Sequence, residues 1–257
     1  MQSHFDYHPL PQIPESLSAL KLQQLFYVGR PELLQSSLKI AIVGSRNPNP
    51  YARAFVTQLA SKLTPHATII SGGALGIDII AHKAALPHTI MISPSSLDLI
   101  YPASNQHIIK EIAARALILS EYEKNTPPRP YSFLQRNRIV IGLSDIVIIP
   151  QADLGSGSMQ SAKMALKLKK PLYVLPHRIN ESLGTKSLLS QNQARPIYDI
   201  EEFLKECEIT PNARDEILEF CAQAPDYEVA LEKFGNRLLE YELDGKIRRE
   251  NGKVIAL

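Results

Sequence analysis

The chain has 257 residues, of which 44% are hydrophobic and 21% charged, and its formal net charge is +2. That length accommodates one substantial core and a smaller companion domain, while the near-neutral balance excludes a globally basic coat, so any polynucleotide surface has to be a local patch. No apolar run approaches about 18 residues, no basic-then-apolar leader opens the chain, and Cys207 and Cys221 lack zinc-like spacing, so the expectation is a cytoplasmic protein with reduced thiols and no membrane span.

Pro9, Pro11, Pro14 and Pro31 punctuate the start, and residues 1–37 read as an irregular N-terminal arm or a small cap, not a domain. From residue 38, short apolar runs alternate with amphipathic stretches. Strands are predicted at 38–43, 67–70, 89–92, 116–119, 145–149 and 172–175. Several are rich in Ile and Val without polar alternation, the pattern of strands covered on both faces. Helices are predicted at 51–63, 76–86, 105–115, 133–143 and 158–169. Leu59, Ala60 and Leu63, like Ile108, Ile109 and Ile112, recur at the three- and four-residue spacing of one helical face. Repeated strand and helix predict an α/β fold, a parallel sheet with helices on both faces, over residues 38–208. The alternation stops after Leu189. Residues 213–257 read as two or three helices, with 226–234 and 236–243 among them, and then a hairpin turning at Asn251-Gly252. Helix, turn, helix, hairpin is the plan of a small C-terminal winged-helix-like domain at 209–257.

Glycine turns follow several strands, and in an open parallel sheet those carboxyl ends form the ligand crevice. Ser71, Gly72, Gly73 and Gly76 link the second strand to its helix. Such a turn leaves backbone N–H groups free at a helix N-terminus, where a phosphate accepts them; a tight turn with no ligand is the plainer alternative. A second turn, Gly155, Ser156, Gly157 and Ser158, has hydroxyls and amides that either cap the next helix or hold a phosphate. Arg46, directly after Gly44 and Ser45, projects over the same crevice, where a guanidinium forks onto a phosphate; a surface Arg paired with a carboxylate is the plainer alternative. Arg129, Arg136 and Arg138 flank Phe133 within ten residues. With Ser132 as N-cap, Phe133 and Arg136 share a helical face, so a base stacks on the ring while the cation takes the neighbouring phosphate; Phe133 as a buried staple is the alternative.

Other chemistries lack their residues. A dinucleotide site wants an acidic residue at the next strand tip, where Ile92-Ser93-Pro94 stands, and Gly184-Thr185-Lys186-Ser187 has the wrong spacing for a Walker loop. The seven histidines form no metal set, and no nucleophile elbow occurs. No cofactor, metal or catalytic residue is expected. Asp78 and Glu121 near strand ends are only a faint acid–base signal.

The ordered motifs resemble the DprA/Smf family of bacterial DNA-processing proteins over about residues 38–190. They are Ala41-Ile-Val-Gly-Ser-Arg46, Ser71-Gly-Gly-Ala-Leu-Gly-Ile-Asp-Ile-Ile-Ala-His82, Tyr101-Pro102 with Asn105, Leu119-Ser-Glu-Tyr122, Phe133-x-x-Arg136-Asn-Arg138-Ile-Val-Ile-Gly-Leu-Ser144 and Gly155-Ser-Gly-Ser158. The resemblance implies an extended Rossmann-like domain that binds single-stranded DNA without being an enzyme. It also implies protection of incoming strands in natural transformation, help in loading the RecA recombinase, and a homodimer. Its strand-binding positions fall on Arg46, Arg129, Phe133, Arg136 and Arg138. Its phosphate pocket falls on Ser71, Gly72, Gly73 and Gly76. Two competing readings share this sheet. One is a nucleotide-hydrolysing phosphoribohydrolase-like enzyme, which wants a Glu just after the late glycine turn, where Met159-Gln160-Ser161 stands. The other is a nucleotide sensor using the same pocket. The tail's second helix, 236–244, carries three acids and one Arg, which predicts protein contact or a weak DNA role.

Overall fold

The computed structural model describes residues 5–207, 216–243 and 245–256. The chain divides into two units, Met1–Ile209 and Thr210–Leu257. In the first unit, strands β1 (His8–Pro9), β2 (Phe26–Gly29), β3 (Lys39–Ile42), β4 (Thr68–Ser71), β5 (Thr89–Ile92), β6 (Leu117–Ser120), β7 (Ile146–Ile149), β8 (Leu172–Val174) and β9 (Arg195–Pro196) form one sheet in the order β1-β2-β6-β5-β4-β3-β7-β8-β9. From β6 to β9 every pairing is parallel. The connecting helices are α1 (Pro50–Leu63), α2 (Ile77–Ala85), α3 (Gln106–Arg115), α4 (Ser132–Leu143), α5 (Gly157–Lys167), α6 (Leu183–Ser190) and α7 (Ile200–Glu206).

Alternate residues of each strand feed two cores. Ile40, Ile42, Ile69 and Ile148 pack with Val56 and Leu59 of α1, Ile77 and Ala81 of α2, and Phe203 of α7. Ala41, Val43, Ile70 and Val147 pack with Ile112 of α3, Ile139 and Val140 of α4, and Ala162 of α5. Full burial of each Ile or Val side chain contributes about 1.5–3 kcal/mol, which is why these strands carry no polar alternation.

The strand order fixes where a ligand crevice opens. From β3 the chain steps outward through β4, β5 and β6, then returns to place β7 on the other side of β3. The connections leaving β3 and β7 therefore diverge to opposite sides, and the space above their carboxyl ends stays open.

Two parts of unit one depart from the expectation. Residues 5–37 are not an arm outside the sheet: β2 pairs antiparallel with β6, Val28 opposite Ile118, and β1 adds an outer strand. Leu17 and Leu25 are fully buried. Leu17 packs so closely on α4 that a Cβ added to Gly142 would lie 2.7 Å from its side chain. The prolines are tolerated because this is the sheet edge, where unpaired amides cost nothing extra. The alternation also continues beyond Leu189, since α6, β9 and α7 complete the sheet. β9 has two residues and includes a proline, too little for a periodic signal.

The second unit holds α8 (Glu216–Cys221), α9 (Tyr227–Phe234), α10 (Asn236–Leu243) and a hairpin of β10 (Ile247–Glu250) and β11 (Lys253–Ala256). Asn251 and Gly252 turn it with φ of 51° and 78°, the left-handed pair that a two-residue hairpin wants. Ile217, Cys221, Ala230, Leu238, Ile247 and Val254 form its core.

Candidate nucleic-acid interface

Above the carboxyl ends of β3 and β7 lies a cleft of about 440 Å³. One wall is the loop after β3, with Gly44, Ser45 and Arg46; the opposite wall is the start of α5, with Ser156, Gly157 and Ser158. Phe133, Leu134, Arg136 and Asn137 of α4, Ala74 and Asp78 after β4, and Asp153 before α5 also line it. A small adjoining recess adds Leu75, Tyr101 and Pro102.

Arg46 is exposed, and its guanidinium carbon stands 5.1 Å from the centroid of the Phe133 ring. Tyr101, 38% exposed, meets the same ring at 5.7 Å. Phe133 is half-buried, neither a core staple nor a free ring. A ring restrained by two such neighbours loses little side-chain freedom when a base stacks on it.

The α5 turn is open. No atom lies within 4 Å of a Cβ placed on Gly155 or Gly157. Ser156 is the N-cap, its hydroxyl accepting from the Met159 amide at 3.4 Å. Among the first-turn residues of α5 there is no acid. This helix terminus offers amides and dipole to an anion.

The α2 turn is built differently. Ser71 is fully buried and its hydroxyl donates to the Ile42 carbonyl at 2.6 Å. Gly72 lies directly on the Arg136 guanidinium. Gly73, with φ of 72°, packs on Met91 so closely that an added Cβ would lie 2.6 Å from its Cε, and its carbonyl accepts from Asn105 at 3.1 Å. Gly76, with φ of 81°, caps α2 and lies against the Arg46 backbone. At the N-terminus of α2 stands the protein's own carboxylate: Asp78 accepts from the Ala74 amide at 3.4 Å, with the Gly44 amide as a further donor. These glycines therefore serve close packing of two loops, and Asp78 fills the position that the sequence assigned to a phosphate.

The arginines separate in the same way. Arg136 is 3% exposed. Its Nη1 donates to the carbonyls of Gly72 and Ile92, the latter at 2.7 Å, and its Nε donates to Asn137 at 2.9 Å. It ties the ends of β4 and β5 to α4 beneath the cleft, so it is a support for the floor more than a free phosphate ligand. Burial pushes the Asp78 carboxyl up, with Arg136, the Ala74 and Gly44 amides and Arg46 opposing. Burial likewise pulls the Arg136 guanidinium down, against the pull of Asp78. Desolvation outweighs attraction for both groups because they share a dry site without a direct ion pair. Arg138 points away from the cleft, two residues and about 200° round the helix. It pairs with Glu121 in a separate hollow beside Lys21 and Gln24. Arg129 is exposed just before α4. Ser132 is not the N-cap but the first helical residue, buried, its hydroxyl accepting from the Arg129 amide at 3.1 Å.

Tyr101, Leu75 and Asn137 were not singled out as binding residues by the sequence. Tyr101 had a signal in its Tyr-Pro motif; Leu75, 47% exposed beside the aromatic pair, had none. Among the described residues, no cluster of His, Cys, Asp or Glu is placed to hold a metal ion, and no helix is long and apolar enough to cross a membrane.

The chain is 36% identical over 174 residues to Protein Smf of Synechocystis sp. and 33% identical over 187 residues to DNA processing protein DprA of Bacillus subtilis. These alignments cover 64% and 71% of this chain but 44% and 63% of those relatives, so the chain spans about half their length. A solved structure of DNA processing protein A from Helicobacter pylori, described for its single-stranded DNA binding mode, superposes with a TM-score of 0.80 at 54% identity, covering 81% of this chain and 98% of that one. DprA of Streptococcus pneumoniae superposes with a TM-score of 0.72 at 32% identity, covering 79% and 74%. None of these names is that of an enzyme. The model of the DNA recombination-mediator protein A family matches residues 8–208, from the first edge strand to the end of the sheet unit, and the chain belongs to that family.

Proposed function

We propose that this protein binds single-stranded DNA across the cleft between the Phe133 platform and the start of α5, and does no chemistry on it. The observation that carries the reading is the exposed Arg46 guanidinium, 5.1 Å from a half-buried Phe133 ring whose other neighbour is Tyr101. A base stacks on the aromatic pair, Arg46 takes the adjoining phosphate, and the open amides of Gly157 and Ser158 take the next. Arg129, exposed at the approach to α4, extends the cationic side. Arg136 and Asp78 act from beneath by keeping the two glycine loops in register. The first turn of α5, Gly157-Ser158-Met159-Gln160, lacks the carboxylate that nucleotide hydrolysis needs at that place.

The wider role is part of the same proposal. A cytoplasmic homodimer would protect incoming strands during natural transformation and pass them to the RecA recombinase. The likeness to the Helicobacter pylori protein supports the strand-binding step. The second unit, three helices and a hairpin, would serve as a winged-helix-like module for protein contact, since α10 carries Glu240 and Glu242 where a phosphate-facing helix wants cations.

Fluorescence anisotropy with single-stranded and duplex oligonucleotides over a salt series tests the reading. Single strands are expected to bind more tightly, with a log–log salt slope of about −0.7 per phosphate contacted. Phe133→Ala is expected to cost about 1–3 kcal/mol of affinity, and Arg46→Ala to reduce the slope by about one contact. Wild-type affinity in both variants overturns the site. Release of free base from nucleoside monophosphates overturns the absence of chemistry.

A further inference from the structure

The loop that carries Arg46 leads to a second opening on the same edge of the sheet. There Asn49 and Tyr51, at the start of α1, face His177, Arg178 and Glu181, beyond the end of β8, across a groove of about 600 Å³. Tyr51 is 54% exposed, a large ring left in water. It is held edge-on by the His177 imidazole, 5.7 Å away at 84°. The His177 side chain is 1% exposed, and its Nε2 donates to the Pro150 carbonyl at 2.8 Å. Nδ1 has no hydrogen-bond partner and lies 3.7 Å from Oε2 of Glu181. The same carboxylate oxygen accepts from Asn49 at 3.4 Å, which holds it over the groove. A carboxylate thus faces the groove beside a ring nitrogen without a hydrogen-bond partner, an exposed ring and an exposed Arg178.

We infer that this groove is a second base position on the strand path, selective for bases that carry an exocyclic amino group. The inference rests on the strand-binding reading above, because Tyr51 stands five residues beyond Arg46 on the connection between the two openings. Tyr51 supplies the stacking face, which accepts any base. The Glu181 carboxylate supplies acceptors only. Cytosine, adenine and guanine bring an amino group to such acceptors. Thymine brings one imino N–H between two carbonyls, and those carbonyls repel a carboxylate. Arg178 neutralises the phosphate of the same nucleotide.

The chain contains no tryptophan, so Tyr51→Trp makes a single fluorescent reporter in the full protein. Adding an oligo-dC strand is expected to quench that reporter with the same midpoint that anisotropy gives for the labelled strand. Wild-type protein is expected to hold oligo-dC about fivefold more tightly than oligo-dT of equal length, the worth of roughly one net hydrogen bond, and Glu181→Gln to erase that difference. Tyr51→Ala is expected to weaken oligo-dC by about five- to 150-fold, and Tyr51→Phe to restore it. Because Tyr51 is half in water, its truncation opens no core cavity; a far-UV spectrum like wild type checks this. A strand that binds without quenching the reporter, or Tyr51→Ala and Glu181→Gln within twofold of wild type while Phe133→Ala loses affinity, overturns the groove and leaves the main cleft standing. Loss in none of these variants, Phe133→Ala included, takes the strand-binding reading down with it.

Discussion

Removing the Arg136 guanidinium should damage the fold before it touches any ligand. Arg136 is the one cation buried under the cleft among the described residues, and its Nη1 satisfies the carbonyls of Gly72 and Ile92 at the ends of β4 and β5. A hydrogen bond from a charged donor is worth about 1.5–3 kcal/mol net, so the two together reach roughly 3–6 kcal/mol. The Gly72 carbonyl borders the cleft recess, and water entering after truncation recovers part of its share. The Ile92 carbonyl belongs to a fully buried strand residue and recovers none. Arg136→Ala is therefore expected to lower stability by about 3–4 kcal/mol, a large part of the roughly 5–15 kcal/mol typical of a domain. Arg136→Lys keeps the charge but loses the planar fork, and is expected to fall between the two. Urea unfolding followed by far-UV circular dichroism reads the midpoints, provided the slope is unchanged. A shift under 1 kcal/mol for Arg136→Ala, or a Lys variant as stable as wild type, refutes the assignment of Arg136 as the support of the cleft floor.

His82 gives a pH signature. Burial, with the nearby Arg136 charge adding to it, pulls its imidazole from the ordinary 6.5 down to about 3. The unfolded chain binds the proton first, so the contribution of the neutral ring is complete above pH 6.5 and is lost as pH falls toward 3, at a slope on the order of 1.4 kcal/mol per pH unit. His82→Gln should flatten that slope in urea titrations between pH 7 and 5; an unchanged slope removes the explanation. The two glycine turns should respond in opposite ways. Gly73→Ala forces a side chain into a left-handed position against Met91 and is expected to cost about 2 kcal/mol or more, whereas Gly157→Ala, open on all sides, should change thermal stability by no more than a few tenths of a kcal/mol. Ser156→Ala should cost about 1 kcal/mol through the lost cap. A Gly73 variant as stable as Gly157→Ala would show that the α2 turn is not packed as described.

The periodicity of the sequence determined the sheet. Ile40, Ile42, Ile69 and Ile148, like the α1 and α2 faces, sit where unbroken apolar runs and three-four spacing put them, because burial on both faces leaves that pattern at short range. The glycine turns were legible because glycines follow the apolar runs directly; Phe133, expected as a stacking ring or a buried staple, is half-buried. The edge strands were not: Phe26–Gly29 and Arg195–Pro196 are stabilised by pairing with a distant neighbour, and nothing local records the partner. The two anion turns differ already in sequence, since Asp78 stands in the first turn of α2 and the first turn of α5 has no acid. Only the folded chain aims the Asp78 carboxylate back at the Ala74 amide and brings Arg136 beneath the same turn. Whether an arginine meets water or a carbonyl depends on which face of α4 packs on the sheet. Arg136 shares that face with Ile139, Val140 and Leu143 by helical spacing, but only tertiary structure brings the Gly72 and Ile92 carbonyls, 64 and 44 residues away, against it.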